Sequence, residues 1–276
     1  MIYDINGNAL DTAYALNGAA LTGAYDIDGE QIFPDTPPPP PPPSFLDTAV
    51  LTALANVSTT GTKQGCCTDG EYIYQTAGDT SNYTYMQIIK YKISDGTYTV
   101  VRFDGTPNFG HANDMAYNPN NGYLYICTML TDGSVIVLDS SDLSYVDTIY
   151  ATNSVGEPYG VSSFCFDRLT NRFYSKASNT AFNIYDANFD YVGQIPAATT
   201  LTATAQGCET DGTYIYRVTY NPNYFDVIEI ATGERVKTIA NPMTGEPESL
   251  AYDWNGQFYV NRNTTGTIFY KAQLTA

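Results

Sequence analysis

Two stretches of this chain decide its fold: Gln64 to Tyr74, which reads QGCCTDGEYIY, and Gln206 to Tyr216, which reads QGCETDGTYIY. Both have a polar start, a small residue, the turn signal Thr-Asp-Gly and the alternating segment Tyr-Ile-Tyr. Asp-Gly readily adopts the positive φ of a tight turn, and alternation is typical of a half-buried strand. The two copies therefore predict one strand-turn-strand unit that the chain uses repeatedly.

Three further segments show the same strand, polar turn and strand. They are Met115 to Tyr125, Phe164 to Tyr174 and Leu250 to Val260. When the five copies are aligned, one position always holds a small residue. Its occupants are Cys66, Ala116, Cys165, Cys208 and Ala251. Free cysteine behaves as a small hydrophobe, and the chain has no C-x-x-C pair, so we interpret these cysteines as core residues and not as a disulfide framework or a zinc site.

Each period of about 45 residues contains four strand-like segments, which is the pattern of a propeller blade. The last copy has only three strands, and Ala49 to Val57 is the one strand-like segment not yet assigned. We therefore predict an all-β fold: a five-bladed β-propeller over residues 45–276, closed by this N-terminal strand. Closure would also remove open sheet edges.

Residues 1–33 contain a repeat in which Tyr3, Tyr14 and Tyr25 each precede an Asn-Gly or Asp-Gly turn. Such strand-turn-strand units are too small to be stable alone, so residues 1–33 are predicted to anchor the protein to other copies or to a partner; a flexible tail is the alternative. Residues 34–44 are predicted to be a spacer. Their proline run is expected to form a polyproline II rod of about 22 Å.

Charge and composition exclude some classes of function. The net charge is −17 and the acidic residues are dispersed, whereas nucleic-acid binding depends on clustered Lys and Arg. The N-terminus lacks the cationic start and apolar core of a signal peptide, and no apolar run is long enough for a membrane span. For a protein that acts outside the cell, we therefore expect release by lysis.

The polar residues just before each shared small position are predicted to converge on one face. Propeller ligands bind where the innermost strands begin, and side chains of this kind hold a neutral sugar through hydrogen bonds, or a hard cation such as Ca²⁺ through oxygen ligands. Nearby aromatic rings suit the C–H faces of sugars. The predicted ligand-binding residues are Gln64, His111, Asn113, Asp114, Tyr159, Ser163, Gln206 and Glu248.

An acid-base role for this face stays open. His111 and Asp114 stand together and are the natural pair for proton transfer; the alternative is that they hold loop backbone. The further carboxylates that such a reaction would recruit are Glu157, Glu209, Glu246 and Glu248. The chain has no nucleophile elbow, P-loop, zinc-protease motif or dinucleotide fingerprint, so no catalytic residue is assigned.

The segment Gly110 to Pro119, GHANDMAYNP, followed by Gly122-Tyr123-Leu124-Tyr125, resembles the propeller domain of phage receptor-binding proteins that recognise cell-wall teichoic acid in Gram-positive bacteria. The N-terminal tyrosine repeats are similar to leader segments of phage and prophage proteins of gut bacteria. This resemblance implies a trimeric, virion-attached protein of the tail-fibre kind that binds a glycan.

These observations lead to one main hypothesis and two alternatives. The main hypothesis is a phage or prophage receptor-binding protein on the virion, a homo-oligomer whose residues 1–33 attach it and whose propeller face binds a bacterial cell-surface glycan. The first alternative is a propeller enzyme, of the lyase, lactonase or glycan hydrolase type, with a divalent cation. The second is a structural decoration protein of the virion.

Overall fold

A computed structural model describes residues 2–3, 9–10 and 43–276, except 58, 179, 199, 202–203 and 265–266. The described residues form strands, turns and loops with no helix, which confirms the all-β prediction. None of them belongs to a helix of the length and apolarity that crossing a bilayer requires. The chain divides into two compact units, Met1–Pro43 and Ser44–Ala276.

The described residues contain 22 strands. In chain order they are β1 (Ile2–Tyr3), β2 (Ala9–Leu10), β3 (Phe45–Val57), β4 (Thr62–Thr68), β5 (Tyr72–Gly78), β6 (Met86–Lys92), β7 (Tyr98–Phe103), β8 (Asp114–Asn118), β9 (Tyr123–Cys127), β10 (Ser134–Asp139), β11 (Tyr145–Tyr150), β12 (Phe164–Asp167), β13 (Arg172–Ser178), β14 (Ala181–Tyr185), β15 (Tyr191–Pro196), β16 (Thr204–Thr210), β17 (Tyr214–Tyr220), β18 (Tyr224–Glu229), β19 (Arg235–Ala240), β20 (Glu246–Tyr252), β21 (Phe258–Asn263) and β22 (Thr267–Thr275).

In the second unit these strands form antiparallel modules of four. Three modules are separate sheets, β4–β7, β8–β11 and β12–β15, in which neighbours in sequence are neighbours in the sheet. The other two are joined in one eight-stranded sheet with the order β16-β17-β18-β19-β3-β22-β21-β20. We call β4, β8, β12, β16 and β20 the first strands. Each first strand contacts the next along the chain, and β20 contacts β4.

The N-terminal strand β3 joins the last two modules. It pairs antiparallel with β22 from Thr267 opposite Val57 to Thr275 opposite Phe45, and parallel with β19 at one position. The sequence analysis placed this strand at Ala49 to Val57, and the structure begins it at Phe45. The extension has a physical reason, because the Phe45 ring packs edge-on against Tyr214 with centroids 5.3 Å apart.

Apolar side chains fill the spaces between neighbouring modules. One such cluster combines Tyr125 with Phe164, Phe173 and Phe189, and the rings of the last two have centroids 4.3 Å apart. These rings come from different strands and loops, so burying them holds adjacent modules face to face. Aromatic pairs of this kind add about 0.5–1.5 kcal/mol beyond the area that they bury.

The Thr-Asp-Gly signal forms the turn that it predicted. In the first module the Thr68 hydroxyl donates to the Tyr72 carbonyl and accepts from the Gly70 N–H, while the Tyr74 hydroxyl donates to the Asp69 carboxylate at 2.7 Å. Gly70 has a φ of 95°, which favours glycine. The copy at residues 210–216 repeats these contacts, so the repeated motif is a structural turn.

The shared small position also has one structural environment. Its five residues are at most 1 % exposed, and each pairs with the second strand of its module. The pairs are Cys66 with Gln75, Ala116 with Tyr125, Cys165 with Tyr174, Cys208 with Arg217 and Ala251 with Tyr259. All five cysteines of the chain are buried and free. Cys67 and Cys127 belong to other apolar clusters, so the shared position accounts for three of the five.

Little of the first unit is described. Ile2 pairs with Leu10 and Tyr3 with Ala9, as expected for a hairpin around the first Asn-Gly turn. The second and third tyrosine repeats, and the proline run up to residue 42, lie outside the described residues.

Candidate functional site

The predicted binding residues lie at one end of the modules. We call this end the upper face; it is where the five first strands begin and where β5, β9 and β21 end. The opposite end, where the Thr-Asp-Gly turns lie, is the lower face. Sequence reasoning placed the candidate residues by their position before the shared small residue, and this register brings most of them together.

Asp114 lies at the centre of this arrangement with no exposed surface. Its Oδ1 accepts from the Ser249 hydroxyl at 2.6 Å, and its Oδ2 accepts from the backbone N–H groups of Cys208 at 3.1 Å and Phe164 at 3.2 Å. Burial raises the pKa of Asp114 well above its ordinary value, and these hydrogen bonds offset only part of that rise. One carboxylate from β8 thus holds β12, β16 and β20, and its oxygens are turned away from solvent.

The Gln-Gly-Cys segments fit closely around this carboxylate. A Cβ on Gly65 would lie 2.5 Å from the backbone of Asp114, and a Cβ on Gly207 would lie 2.7 Å from the Ser249 Oγ and 2.9 Å from the Asp114 Oδ1. No side chain fits at either position without displacing the first strands. The glycines of the repeated motif are therefore required by the packing around Asp114.

Asn113 and Gln206 form the next layer towards the upper face. The Asn113 Nδ2 donates to the carbonyl oxygens of Ser162 at 2.7 Å and Gln206 at 2.8 Å. The Gln206 Nε2 donates to the Glu246 Oε1 at 2.9 Å. Asn113 is 6 % exposed, whereas Gln206 and Glu246 are half-buried and border solvent.

An acidic pair lies beside this layer. Glu248 is only 2 % exposed, and burial followed by the charge of Glu246 raises its pKa to about 9. Asn263 donates to the second oxygen of Glu246 at 3.2 Å. The His111 ring is half-buried and hydrogen-bonds the Thr80 backbone; burial lowers its pKa, although Glu246 opposes this. At neutral pH Glu248 therefore holds a proton beside Glu246.

The remaining predicted residues have separate positions. Gln64 and Ser163 are buried, and among the described residues neither the Gln64 Oε1 nor the Ser163 Oγ has a hydrogen-bond partner. Tyr159 is half-buried and lines a different pocket, of about 380 Å³, with Met129 and Pro158. Ser162 also lines this pocket, and its carbonyl accepts from the Asn113 Nδ2.

An open pocket on the upper face has a volume of about 640 Å³, and we call it the Asp79 pocket. Its lining combines hydroxyl, amide and carboxylate groups with one aromatic ring. The lining residues are Gly61, Thr62, Gly78, Asp79, Thr80, Ser81, Tyr85, Asn263 and Thr264. None of these residues is among the ligand-binding residues predicted from the sequence. The signal that was missed is the polar run Asp79-Thr80-Ser81-Asn82, which is longer than a tight turn requires.

The loop after β5 fixes the Asp79 carboxylate at this pocket. Its Oδ1 accepts from the N–H groups of Ser81 and Asn82, and its Oδ2 accepts from the Thr84 hydroxyl at 2.7 Å. The backbone hydrogen bond from Asn82 and the side-chain hydrogen bond from Thr84 lower the pKa of Asp79 to about 2. The carboxylate is thus charged and pre-oriented over the whole physiological pH range.

The sequence also offers possible metal ligands and, for catalysis, the further carboxylates Glu209 and Glu157. Within the described part of the chain, no three or more His, Cys, Asp and Glu side chains are grouped so that they could hold a metal ion. Glu209, a further carboxylate considered in the sequence analysis, is buried below Asp114 and has its pKa raised to about 8 by burial. Glu157 is exposed in the loop before β12.

Comparison with known proteins identifies a fold and no family. No family model matches the chain. No curated protein matches it either. Among solved structures, the crystal structure of Myxococcus xanthus glutaminyl cyclase superimposes with a TM-score of 0.64 and 14% sequence identity, over 84% of this chain and 98% of that one. The chain therefore has a propeller-like all-β fold similar to that of this enzyme.

Proposed function

We propose that the upper face binds a carbohydrate of a bacterial cell surface. The observation that carries this proposal is the Asp79 pocket, whose wall presents Asp79, Thr80, Ser81 and Asn263 beside the Tyr85 ring. Sugar sites combine hydrogen-bonding groups in fixed positions with an aromatic surface. The Asp79 carboxylate supplies an oriented acceptor for hydroxyl groups. The Tyr85 ring is held by the guanidinium of Arg102, which lies 4.0 Å from its centroid.

We also propose that the five modules are the blades of one five-bladed propeller closed by β3. Two observations support this architecture: the first strands contact one another in a complete cycle, and β3 is the fourth strand beside β22. In such a ring, the upper face is the axial face on which one loop from every blade converges.

The direction in which the chain enters the second unit suits a tethered binding domain. Val57 lies at the upper face, because β4 begins at Thr62 on that face, and the 13-residue strand β3 therefore begins at the lower face. The chain thus enters the second unit at the end opposite the Asp79 pocket. We propose that residues 1–33 attach the protein to a phage or prophage virion as a homo-oligomer, that residues 34–44 are the spacer, and that host lysis releases the particle.

A glycan array with the full chain tests the binding function. We expect Asp79→Asn to lose binding by about tenfold or more, because a charged hydrogen-bond acceptor becomes a neutral amide. Asp95→Asn is the matched control: Asp95 accepts from the N–H and hydroxyl of Thr97 in a similar loop at the lower face. Equal losses of glycan binding in both variants, or no binding of any glycan on the array, would refute the proposal. If the protein also turns over no substrate, a decoration protein would be favoured.

An enzyme is the second candidate, and the Glu246 and Glu248 pair favours it. A protonated carboxyl beside a second carboxyl group is an arrangement that general acid and base catalysis uses. Because the fold is similar to that of a glutaminyl cyclase, a peptide that begins with glutamine is one substrate to test, alongside polysaccharides and lactones. If the wild type releases ammonia or a sugar product and Glu246→Gln does not, the protein is an enzyme and the proposal of a binding function is refuted.

A further inference from the structure

A second pocket on the upper face, of about 380 Å³, has a more apolar wall than the Asp79 pocket, and we call it the Tyr159 pocket. It lies between the loop that joins β9 to β10 and the loop that joins β11 to β12. Apolar surface comes from Met129, Leu130, Pro158, Tyr159 and Val161, and the residues that line the pocket include no charged side chain. A volume of this size is in the range of small-molecule sites.

Hydrogen bonds hold the two loops of the Tyr159 pocket together. The Tyr159 N–H donates to the Ala151 carbonyl at 2.8 Å, and the Ala151 N–H donates to the Gly133 carbonyl at 2.8 Å. The Asn153 Oδ1 accepts from two backbone N–H groups of its own loop, each at 3.0 Å. The walls are therefore fixed before a ligand arrives, which limits the entropy that binding costs.

The loop that carries His111 adjoins both pockets. Gly110 shares a narrow cleft with Tyr85, whose ring lines the Asp79 pocket. Gly110 also packs against the loop that carries Met129, because a Cβ on this glycine would overlap the Thr128 carbonyl and lie 3.0 Å from the Leu130 Cγ. The His111 N–H donates to the same Thr128 oxygen at 2.9 Å. The Asp79 pocket and the Tyr159 pocket are therefore neighbours on the upper face.

A chain of hydrogen bonds also connects the two pockets. The Ser162 carbonyl, in the Tyr159 pocket, accepts from the Asn113 Nδ2, which also donates to the Gln206 carbonyl. The Gln206 side chain donates to Glu246, and Asn263, which lines the Asp79 pocket, donates to the other oxygen of Glu246. Gln206 and Glu246 border solvent, so their amide and carboxylate groups can hydrogen-bond the hydroxyl groups of a ligand that lies across this layer.

The chemistry of the Tyr159 pocket suits a sugar that carries an acetamido group. The methyl of such a group is apolar and fits beside Met129, whose side chain is 45% exposed. The Tyr159 ring suits the C–H face of the sugar itself. A carbonyl oxygen has two lone pairs, so the Ser162 carbonyl can accept from an acetamido N–H as well as from Asn113. A charged substituent would lose its hydration here with no opposite charge among the lining residues.

We propose that the Tyr159 pocket is an acetamido subsite, and that the ligand is an oligosaccharide that reaches from the Asp79 pocket, over the loop with His111, into this subsite. The inference rests on the proposed carbohydrate-binding function and adds the class of glycan to it. The protein then recognises the length and the acetamido groups of a glycan chain. A single sugar unit would occupy one pocket and would lose the contacts of the other.

Calorimetric titration of the full chain with two tetrasaccharides of the same linkage tests the subsite. The first probe is chitotetraose, in which every unit carries an acetamido group, and the second is cellotetraose, in which a hydroxyl group takes its place. N-acetylglucosamine is the one-unit probe. We expect chitotetraose to bind more tightly than either of the others by about tenfold or more, since a single methylene group in an apolar pocket already changes binding by about that factor.

Met129→Ala should weaken chitotetraose binding by about fourfold or more, because it removes exposed apolar groups from the pocket wall, and should weaken cellotetraose binding less. Leu169→Ala is the matched control: it removes an aliphatic side chain, 72% exposed, from a loop at the lower face, and should change neither affinity. Equal binding of the two tetrasaccharides, no binding of chitotetraose, or equal affinities of wild type and Met129→Ala for chitotetraose overturns the inference.

The carbohydrate-binding function is judged separately on the glycan array. A signal that depends on Asp79 but shows no preference for acetamido sugars refutes the subsite alone. If Met129→Ala weakens chitotetraose binding and Asp79→Asn does not, the function proposed for the Asp79 pocket is refuted, and with it the extended site.

Discussion

Replacing Asp114 by alanine should destabilise the second unit severely. The change leaves three groups on other strands without an acceptor: the N–H groups of Phe164 and Cys208 and the hydroxyl of Ser249. Each buried unsatisfied donor costs about 1–3 kcal/mol, and removing the buried carboxyl group offsets part of this, so we expect a net loss of about 3–5 kcal/mol. For a unit of this size, that loss lowers the melting temperature by roughly 10 °C.

Urea unfolding, followed by tyrosine fluorescence and circular dichroism, measures this loss. Ser249→Ala removes one of the three contacts and should cost about 1 kcal/mol. Asp142→Ala is the control, because Asp142 is an exposed loop carboxylate that accepts one backbone N–H at 2.8 Å. If Asp114→Ala unfolds within about 1 kcal/mol of the control, then Asp114 is not the group that holds the first strands together.

Two further changes test other parts of the structure. The pKa of Glu248 is raised from 4.5 to about 9, so its contribution to stability is complete below pH 4.5 and is lost as the pH rises towards 9. Between pH 5 and pH 8 the free energy of unfolding of the wild type should therefore fall, and that of Glu248→Gln should fall by at least about 1 kcal/mol less. Urea midpoints at each pH measure both changes. Parallel pH profiles for the two proteins would contradict this. A chain of residues 44–276 should remain a folded monomer in size-exclusion chromatography. A chain of residues 58–276 lacks β3 and should aggregate. If the shorter chain is soluble and unfolds cooperatively, β3 does not have a closing role.

Much of the fold was readable in the sequence because its signals are local. The turns at Asp69 and Asp211 depend on contacts between near neighbours in the chain, so the motif Thr-Asp-Gly specifies the same turn at both places. The period of these turns then places the shared small residue, and the strand register follows from it. The start of β3 at Phe45 was not readable, because it depends on packing against Tyr214, far away in the sequence.

The candidate site was less predictable, because the exposure of a side chain depends on how far it lies below the upper face. The strand register places Asp114 and Gln206 near one another. Their residue types do not predict that Asp114 has no exposed surface while Gln206 borders solvent. Asp79, which lines the pocket named after it, lies outside the repeated motif.

The position of β3 also determines how the second unit bears mechanical load. The chain enters at Ser44, whose carbonyl accepts from the N–H of Ala276, and continues along β22 from Phe45 to Val57. Tension between a bound surface and the N-terminus therefore pulls β3 lengthwise along its neighbour. In this shear geometry the hydrogen bonds of the ladder resist together and do not open one by one. The ladder between β3 and β22 would therefore resist such a pull in shear.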